Sequence, residues 1–201
     1  RDFMHDQGYL EVETPMMQSI VGGAAAKPFA THHNALDIPL FLRIAPELYL
    51  KRLLVGGMRK VFEINRNFRN EGVSRKHNPE FTMLESYQAF GDCQTMLELT
   101  EGMIRAAANA VGDATAIPYG EHAMNYAIPF DQVTYGALFE KGVGCSMHDE
   151  DAVRAKAEEL GFGDASTKNH WLLVSELFDA RAEAILDGSR PTFVTDFPSA
   201  I

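Results

Sequence analysis

Only two cysteines, Cys93 and Cys145, occur among 201 residues. They stand too far apart in the chain to read as a metal-binding pair or a disulfide framework. Reduced thiols in a cytoplasmic protein are the expectation. No apolar run approaches the roughly 20 residues that a membrane span needs, and no charged-then-apolar leader opens the chain, so no membrane partner is expected. Neither of the familiar phosphate-cradling glycine loops, Gly-x-x-x-x-Gly-Lys or Gly-x-Gly-x-x-Gly, is present. Positive charge is also in deficit: 18 basic against 28 acidic residues leave a net charge of −10. No global field therefore draws a polyanion, and any contact with nucleic acid has to come from a local patch. The adjacent His32 and His33 would point to opposite faces of a strand, which argues against a shared zinc ion.

What is present is an ordinary globular composition, 46% hydrophobic and 23% charged, long enough for one domain with a real core or most of a larger one. Strand patterns crowd the first 90 residues and helical patterns follow, which predicts an α+β fold. Residues 1–7 read as a helix ended by Gly8, and residues 9–12 as a strand. The small, glycine-rich stretch 19–26 suits either close approach to a ligand or a flexible loop. Two strands are predicted at 29–33 and 36–43, then a helix from Pro46 and Glu47 to about Val55. Glu47 at a helix start is explained by the positive end of the helix dipole alone. Asp92 caps a predicted helix over 93–111 with Met96, Leu99, Met103 and Ala107 as its apolar stripe and Glu101–Arg105 as a surface pair. Residues 112–131 break into turns. Helical segments follow near 134–141, 149–160 and 171–187, and a strand at 191–197.

The informative stretch is 61–90, VFEINRNFRNEGVSRKHNPEFTMLESYQAF. Its two alternating runs predict a long hairpin with a basic tip containing Arg75, Lys76, His77 and Asn78. Glu63, Asn65, Asn67 and Arg69 share one face of the first strand; Phe81, Met83, Glu85 and Tyr87 share one face of the second. Such polar faces either meet solvent or line a site, and periodicity leaves both open. A buried Glu85 would need a partner, and a bound cation would supply one. Arg69 offers a fork of donors for a carboxylate or phosphate, and Phe81 a flat stacking face. Arg52, Arg59, Lys60, Arg66, Arg75 and Lys76 cluster around this hairpin, as either a local patch or a solvated surface.

Residues 68–87, FRNEGVSRKHNPEFTMLESY, resemble motif 2 of class II aminoacyl-tRNA synthetases in its lysyl form. GYLEVETPMM at 8–17 resembles motif 1, with Pro15 as its proline, although a strand terminator accounts for Pro15 equally. GGAAAKPF at 22–29 and APELYLKRLL at 45–54 are also similar to the lysyl enzymes in order and spacing. The resemblance implies a mainly antiparallel sheet flanked by helices, with residues 1–111 as the motif 1/motif 2 part of the catalytic core, 112–190 as a mainly helical insertion and 191–201 as a returning core strand. It implies activation of lysine by ATP, transfer of the lysyl group to the 3′ end of tRNA(Lys), and a homodimer formed through motif 1.

By the same resemblance, the carbonyl of Gly23 and the carboxylate of Glu47 meet the α-amino group of lysine. Arg69 bridges the lysine carboxylate and the α-phosphate. Glu71 takes the adenine amino group, Phe81 stacks on adenine, and His77 and Asn78 contact ATP. Glu85 and Tyr87 line the pocket around the ε-ammonium. Nothing resembles motif 3 or the anticodon-binding barrel, and the acidic ligands of Mg2+ are expected beyond Ile201. The chain is thus expected to be an inactive piece of the catalytic domain. Rival expectations are the lysyl paralogue that modifies elongation factor P and a non-catalytic synthetase-like module. Aspartyl and asparaginyl relatives share the Pro-Glu-Phe-Thr run but give no reason for Glu85 and Tyr87.

Overall fold

The computed structural model describes residues 1–74 and 77–201; Arg75 and Lys76, expected at the basic hairpin tip, lie outside the described residues. The chain divides into two compact units, Arg1–Met96 and Leu97–Ile201.

The first unit opens with α1 (Asp2–Asp6) and a turn at Gly8, whose φ of 79° only glycine adopts at little cost. There follow β1 (Leu10–Glu11), β2 (Met17–Gln18), β3 (Ala30–His33), β4 (Ile38–Leu42), α2 (Glu47–Val55), β5 (Lys60–Phe68) and β6 (Glu80–Gln88). β5 and β6 form the long antiparallel hairpin, in register from Lys60 opposite Gln88 to Phe68 opposite Glu80. β1 joins β5 in parallel. A second, antiparallel sheet has the order β2-β4-β3. The strand β2 is not visible in the pattern, because two residues carry no period. The amide of Phe68 donates to the carbonyl of Arg43 at 2.9 Å, stitching the end of β5 to the chain just after β4. Met4, Tyr9, Ile44, Leu50, Val61 and Phe62 are buried, so both faces of β5 are covered at its start. Opposite residues in an antiparallel ladder share a face. The register therefore sets Glu63 against Glu85 and Asn67 against Phe81, and merges the two polar faces read from the sequence into one.

α3 (Cys93–Val111) is capped as expected: Asp92 Oδ1 accepts from the Thr95 amide at 2.8 Å and its hydroxyl at 2.7 Å, and these bonds hold the Asp92 carboxyl below its usual range. Glu101 and Arg105 pair. The expected stripe is corrected at its end, where Ala107 is exposed and Ala108 is buried, because helical positions drift against a strict four-residue spacing. The region read as turns, 112–131, contains the small hairpin β7 (Ile117–Tyr119) and β8 (His122–Met124) and the start of β9 (Asp131–Thr134). Three-residue strands, one holding Pro118, are too short and too interrupted to show alternation.

The second unit then builds α4 (Tyr135–Val143), α5 (Glu150–Glu159) and α6 (His170–Leu177), with N-caps Thr134, Asp149 and Asn169. The helical stretch expected to reach 187 changes pitch: α6 passes into a π-helical turn, Phe178–Ala182, and a 3₁₀ turn, Glu183–Ile185. β10 (Thr192–Thr195) pairs in parallel with β9. One apolar cluster holds this unit, including Tyr135, Phe139, Val153, Leu173, Val174 and Leu177; the Tyr135 and Phe178 rings stack with centroids 3.8 Å apart.

Gly142 on α4 is where the π turn comes closest. A Cβ there would lie 2.7 Å from Ala182 Cα and 3.0 Å from the Arg181 carbonyl oxygen, both backbone atoms that cannot swing away. Gly142→Ala is expected to cost about 1–3 kcal/mol. Gly163→Ala, whose added Cβ meets open space, is the control and should leave the thermal midpoint nearly unchanged.

Candidate functional site

The distal part of the β5–β6 face carries Arg69 one residue past β5. Its amide donates to the Pro79 carbonyl at 2.8 Å, extending the ladder by one rung, and the amide of Asn70 donates to the Lys27 carbonyl at 2.8 Å. The Arg69 guanidinium lies over the Phe81 ring, 5.3 Å from its centroid, and its Nε donates to the Ile44 carbonyl at 3.4 Å. At the loop, His77 Nδ1 and Ser74 Oγ are 2.8 Å apart. Arg69, Glu71, His77, Asn78, Pro79 and Phe81 line a cavity of about 310 Å³. Five residues expected from the sequence to meet ATP thus surround one hollow, which has a planar cation, a carboxylate and an aromatic face.

The proximal part of the face is acidic. The Tyr87 hydroxyl donates to Glu85 Oε2 at 3.0 Å, as the two-residue spacing on one strand allows. Glu47 begins α2 and pairs with Lys51 Nζ at 2.5 Å, one turn on. Gly23, at φ 91°, lies against it: a Cβ there would stand 2.9 Å from Glu47 Cβ and 3.2 Å from Ala45 Cβ. Glycine is required at 23 both by conformation and by space. Burial is the main cause that pushes the Glu85 carboxyl above its usual range; Glu47 and Glu63 add to it, while the Tyr87 hydrogen bond and Arg43 oppose it. Burial, Glu85 and Glu47 likewise push the Tyr87 phenol well above its ordinary value. Gly23, Glu47, Glu85 and Tyr87 do not line the Arg69 hollow; they form a separate, negatively biased cluster on the same unit.

Beneath this cluster lies a group that the sequence reading passed over. Arg43 Nη1 and Glu63 Oε1 are 2.7 Å apart, with side chains 0% and 1% exposed. Thr14 donates to Glu63 from its hydroxyl at 2.6 Å and its amide at 3.2 Å, and Asn65 Nδ2 donates at 3.2 Å. Arg43 Nε donates to the Arg66 carbonyl at 2.8 Å. The signal was available: a lone arginine ends the apolar run Ile-Pro-Leu-Phe-Leu at 38–42 and must find a buried anion. Among the described residues, Arg43 Nη2 and Asn67 Oδ1 are buried without a hydrogen-bond partner. The basic residues clustered in sequence are partly engaged within the chain, with Arg52 over the Tyr49 ring, Lys60 on the Gln7 carbonyl and Arg66 beside Glu80.

The Tyr87 hydroxyl lowers the Glu85 titration midpoint while burial raises it. Tyr87→Phe should therefore move that midpoint upward, read from the Glu85 carboxyl carbon by NMR. A raised carboxyl stabilises the fold below its unfolded pKa and loses that contribution as pH climbs through the folded value. The pH window over which stability falls should accordingly extend to higher pH in the variant, with its lower edge unchanged.

Comparison with known proteins places the whole chain, residues 1–201, within the family described as tRNA synthetases class II (D, K and N). The heat-inducible lysine–tRNA ligase of Escherichia coli K12 is 49% identical over 205 residues, covering 100% of this chain and 40% of that protein. The lysine–tRNA ligases of Salmonella paratyphi B and Salmonella newport are each 48% identical over the same span. The chain thus spans 40% of the length of these relatives.

Proposed function

The chain belongs to the class II tRNA synthetases of the D, K and N group, and from that premise we propose that it carries the motif 1 and motif 2 part of a catalytic domain that activates lysine with ATP and passes it to tRNA(Lys). The observation that carries the reading is the single β5–β6 face, on which a cation-bearing hollow and Glu85, a carboxylate with no ion pair among the described residues, sit in series. Similarity to lysine–tRNA ligases along the entire chain supports it.

In this reading the lysine carboxylate attacks the α-phosphorus of ATP, the bond to the bridging oxygen breaks, and pyrophosphate leaves with the electron pair. Catalysis of such a step rests on positioning and charge neutralisation. Arg69 holds the attacking carboxylate and the α-phosphate on one guanidinium fork and steadies the charge that develops between them. Glu71, His77, Asn78 and Phe81 hold the nucleotide, with Phe81 against adenine and Glu71 on its amino group. The Gly23 carbonyl and Glu47 take the α-ammonium, displacing Lys51. Glu85 and Tyr87 take the ε-ammonium, where burial leaves a carboxylate that gains from a cation more than an exposed one would. The lysyl group then passes to a hydroxyl at the tRNA 3′ end with loss of AMP.

We assign residues 1–111 to the catalytic core, 112–190 to the helical insertion and 191–201 to a returning strand, with dimerisation through motif 1. Among the described residues no cluster of three acidic, histidine or cysteine side chains could hold a metal.

Calorimetric titration with lysine, arginine, an ATP analogue and a non-hydrolysable lysyl-adenylate mimic tests the reading. Removing one partner of a buried charge pair costs about 2–5 kcal/mol, or roughly 30-fold to several thousand-fold in binding. Glu85→Gln is therefore expected to weaken lysine by at least about tenfold while leaving the ATP analogue nearly unaffected. Arg69→Ala should abolish binding of the mimic. Equal loss of lysine and ATP analogue in Glu85→Gln would overturn the assignment of Glu85 to the lysine side chain.

A further inference from the structure

Glu63 and Glu85 stand directly opposite each other in the β5–β6 ladder, so their side chains leave one face with Cβ atoms about 5 Å apart. Two carboxylates that close oppose each other's ionisation. The structure treats them differently. The Glu63 charge is met by Arg43 in a sealed pair, and donors from Thr14 and Asn65 fill its remaining lone pairs. Glu85 receives the Tyr87 hydroxyl and, among the described residues, no ion pair.

We propose that Arg43 is a positioning residue for amino-acid selection: by compensating and turning Glu63, it leaves Glu85 as the one carboxylate on this face whose counter-ion must come from the ligand. The inference rests on the reading of Glu85 as the carboxylate for the lysine side chain. An arginine is required because one planar fork serves two tasks. Its Nε donates to the Arg66 carbonyl and its Nη1 to Glu63 and Thr14 Oγ1, which a lysine ammonium cannot span. The remaining groups that act on Glu85 are Glu47 of α2, itself paired with Lys51, and Tyr87 of its own strand. Of the five influences, Arg43 is the only cation, and it opposes the upward push that burial, Glu47 and Glu63 exert on Glu85. Without Arg43, Glu63 becomes an unmatched negative charge across the ladder. Glu85 would then take up a proton at higher pH, and a neutral carboxyl does not hold an ammonium.

The test measures lysine affinity against pH, with the affinity of an ATP analogue as control, in the protein at its full encoded length. Arg43→Gln is expected to move the acid limb of lysine binding upward by about one pH unit or more. Below the displaced limb lysine should bind more weakly than to the wild type, with the ATP analogue unchanged. The double variant Arg43→Gln, Glu63→Gln removes both the cation and the opposing carboxylate, and should return the limb to the wild-type position. A role in folding alone would not produce that rescue. If Arg43→Gln does not fold, the double variant, with no buried charge left unpaired, decides: a limb at or below the wild-type position supports the proposal, and a limb above it overturns it. An unmoved limb in folded Arg43→Gln also overturns it. Lysine bound no better than norleucine by the wild type, or a Glu85→Gln variant with unchanged lysine affinity, would instead overturn the lysine reading on which the proposal stands.

Discussion

The buried ion pair between Arg43 and Glu63 is the constraint around which the first unit is arranged. Three separate stretches meet at it: the loop at Thr14, the residue after β4, and β5, which supplies both Glu63 and the backbone carbonyl of Arg66. Taking two charges out of water costs several kcal/mol each, and their attraction recovers this only when the geometry is tight and the other lone pairs and protons are used. Glu63 meets that condition. Arg43 falls short by one nitrogen, Nη2. A pair of apolar residues could fill the same volume, often without loss of stability. Cohesion alone therefore does not require a charged pair at this position.

That surface is the β5–β6 face. A hairpin with nine strictly paired positions fixes which side chains look at one another, and a slip of one residue would turn every polar group away. The register is thus as much a part of the site as the side chains are. It aligns Phe81 with the position next to Arg69 and sets Glu85 two steps closer to the start of α2. The second unit is made differently. Its interior is an apolar cluster with capped helices and no buried ion pair among the described residues, so its stability is a matter of packing.

The sequence made the hairpin legible because nine-residue alternation is a strong signal, and because residue types such as Arg69, Phe81 and Glu85 are costly to place without a purpose. α2, α3 and the α4–α6 helices were legible from their helical patterns, with Pro46 at the start of α2 and Asp92 at the start of α3. The strands β2, β7 and β8 were not, since two or three residues cannot show a period and Pro118 reads as a breaker. The change of pitch after Leu177 occurs where the chain packs against Gly142, about 40 positions away in the chain, and local periodicity carries no signal of it. Arg43 and Glu63 were half legible. Each was an ionisable residue in an apolar setting, but only the fold brings the end of β4 to the middle of β5.

The acidic cluster explains why selection of a cationic amino acid is not simply a matter of supplying carboxylates. Glu47, Glu63 and Glu85 all act on the same small region, and three unmatched negative charges would suppress one another's ionisation. The chain handles each in its own way. Glu47 carries an exposed, exchangeable partner, Lys51, that a substrate ammonium can replace. Glu63 is bound permanently by Arg43. Glu85 receives the Tyr87 hydroxyl and, among the described residues, no ion pair. In the proposed reading, a neutral or anionic amino acid would leave the half-buried Glu85 without a counter-ion, which counts against its binding. In the proposed reading, discrimination between lysine and its competitors comes from the cost imposed on the wrong ligand, a cost that depends on the other two carboxylates having partners of their own.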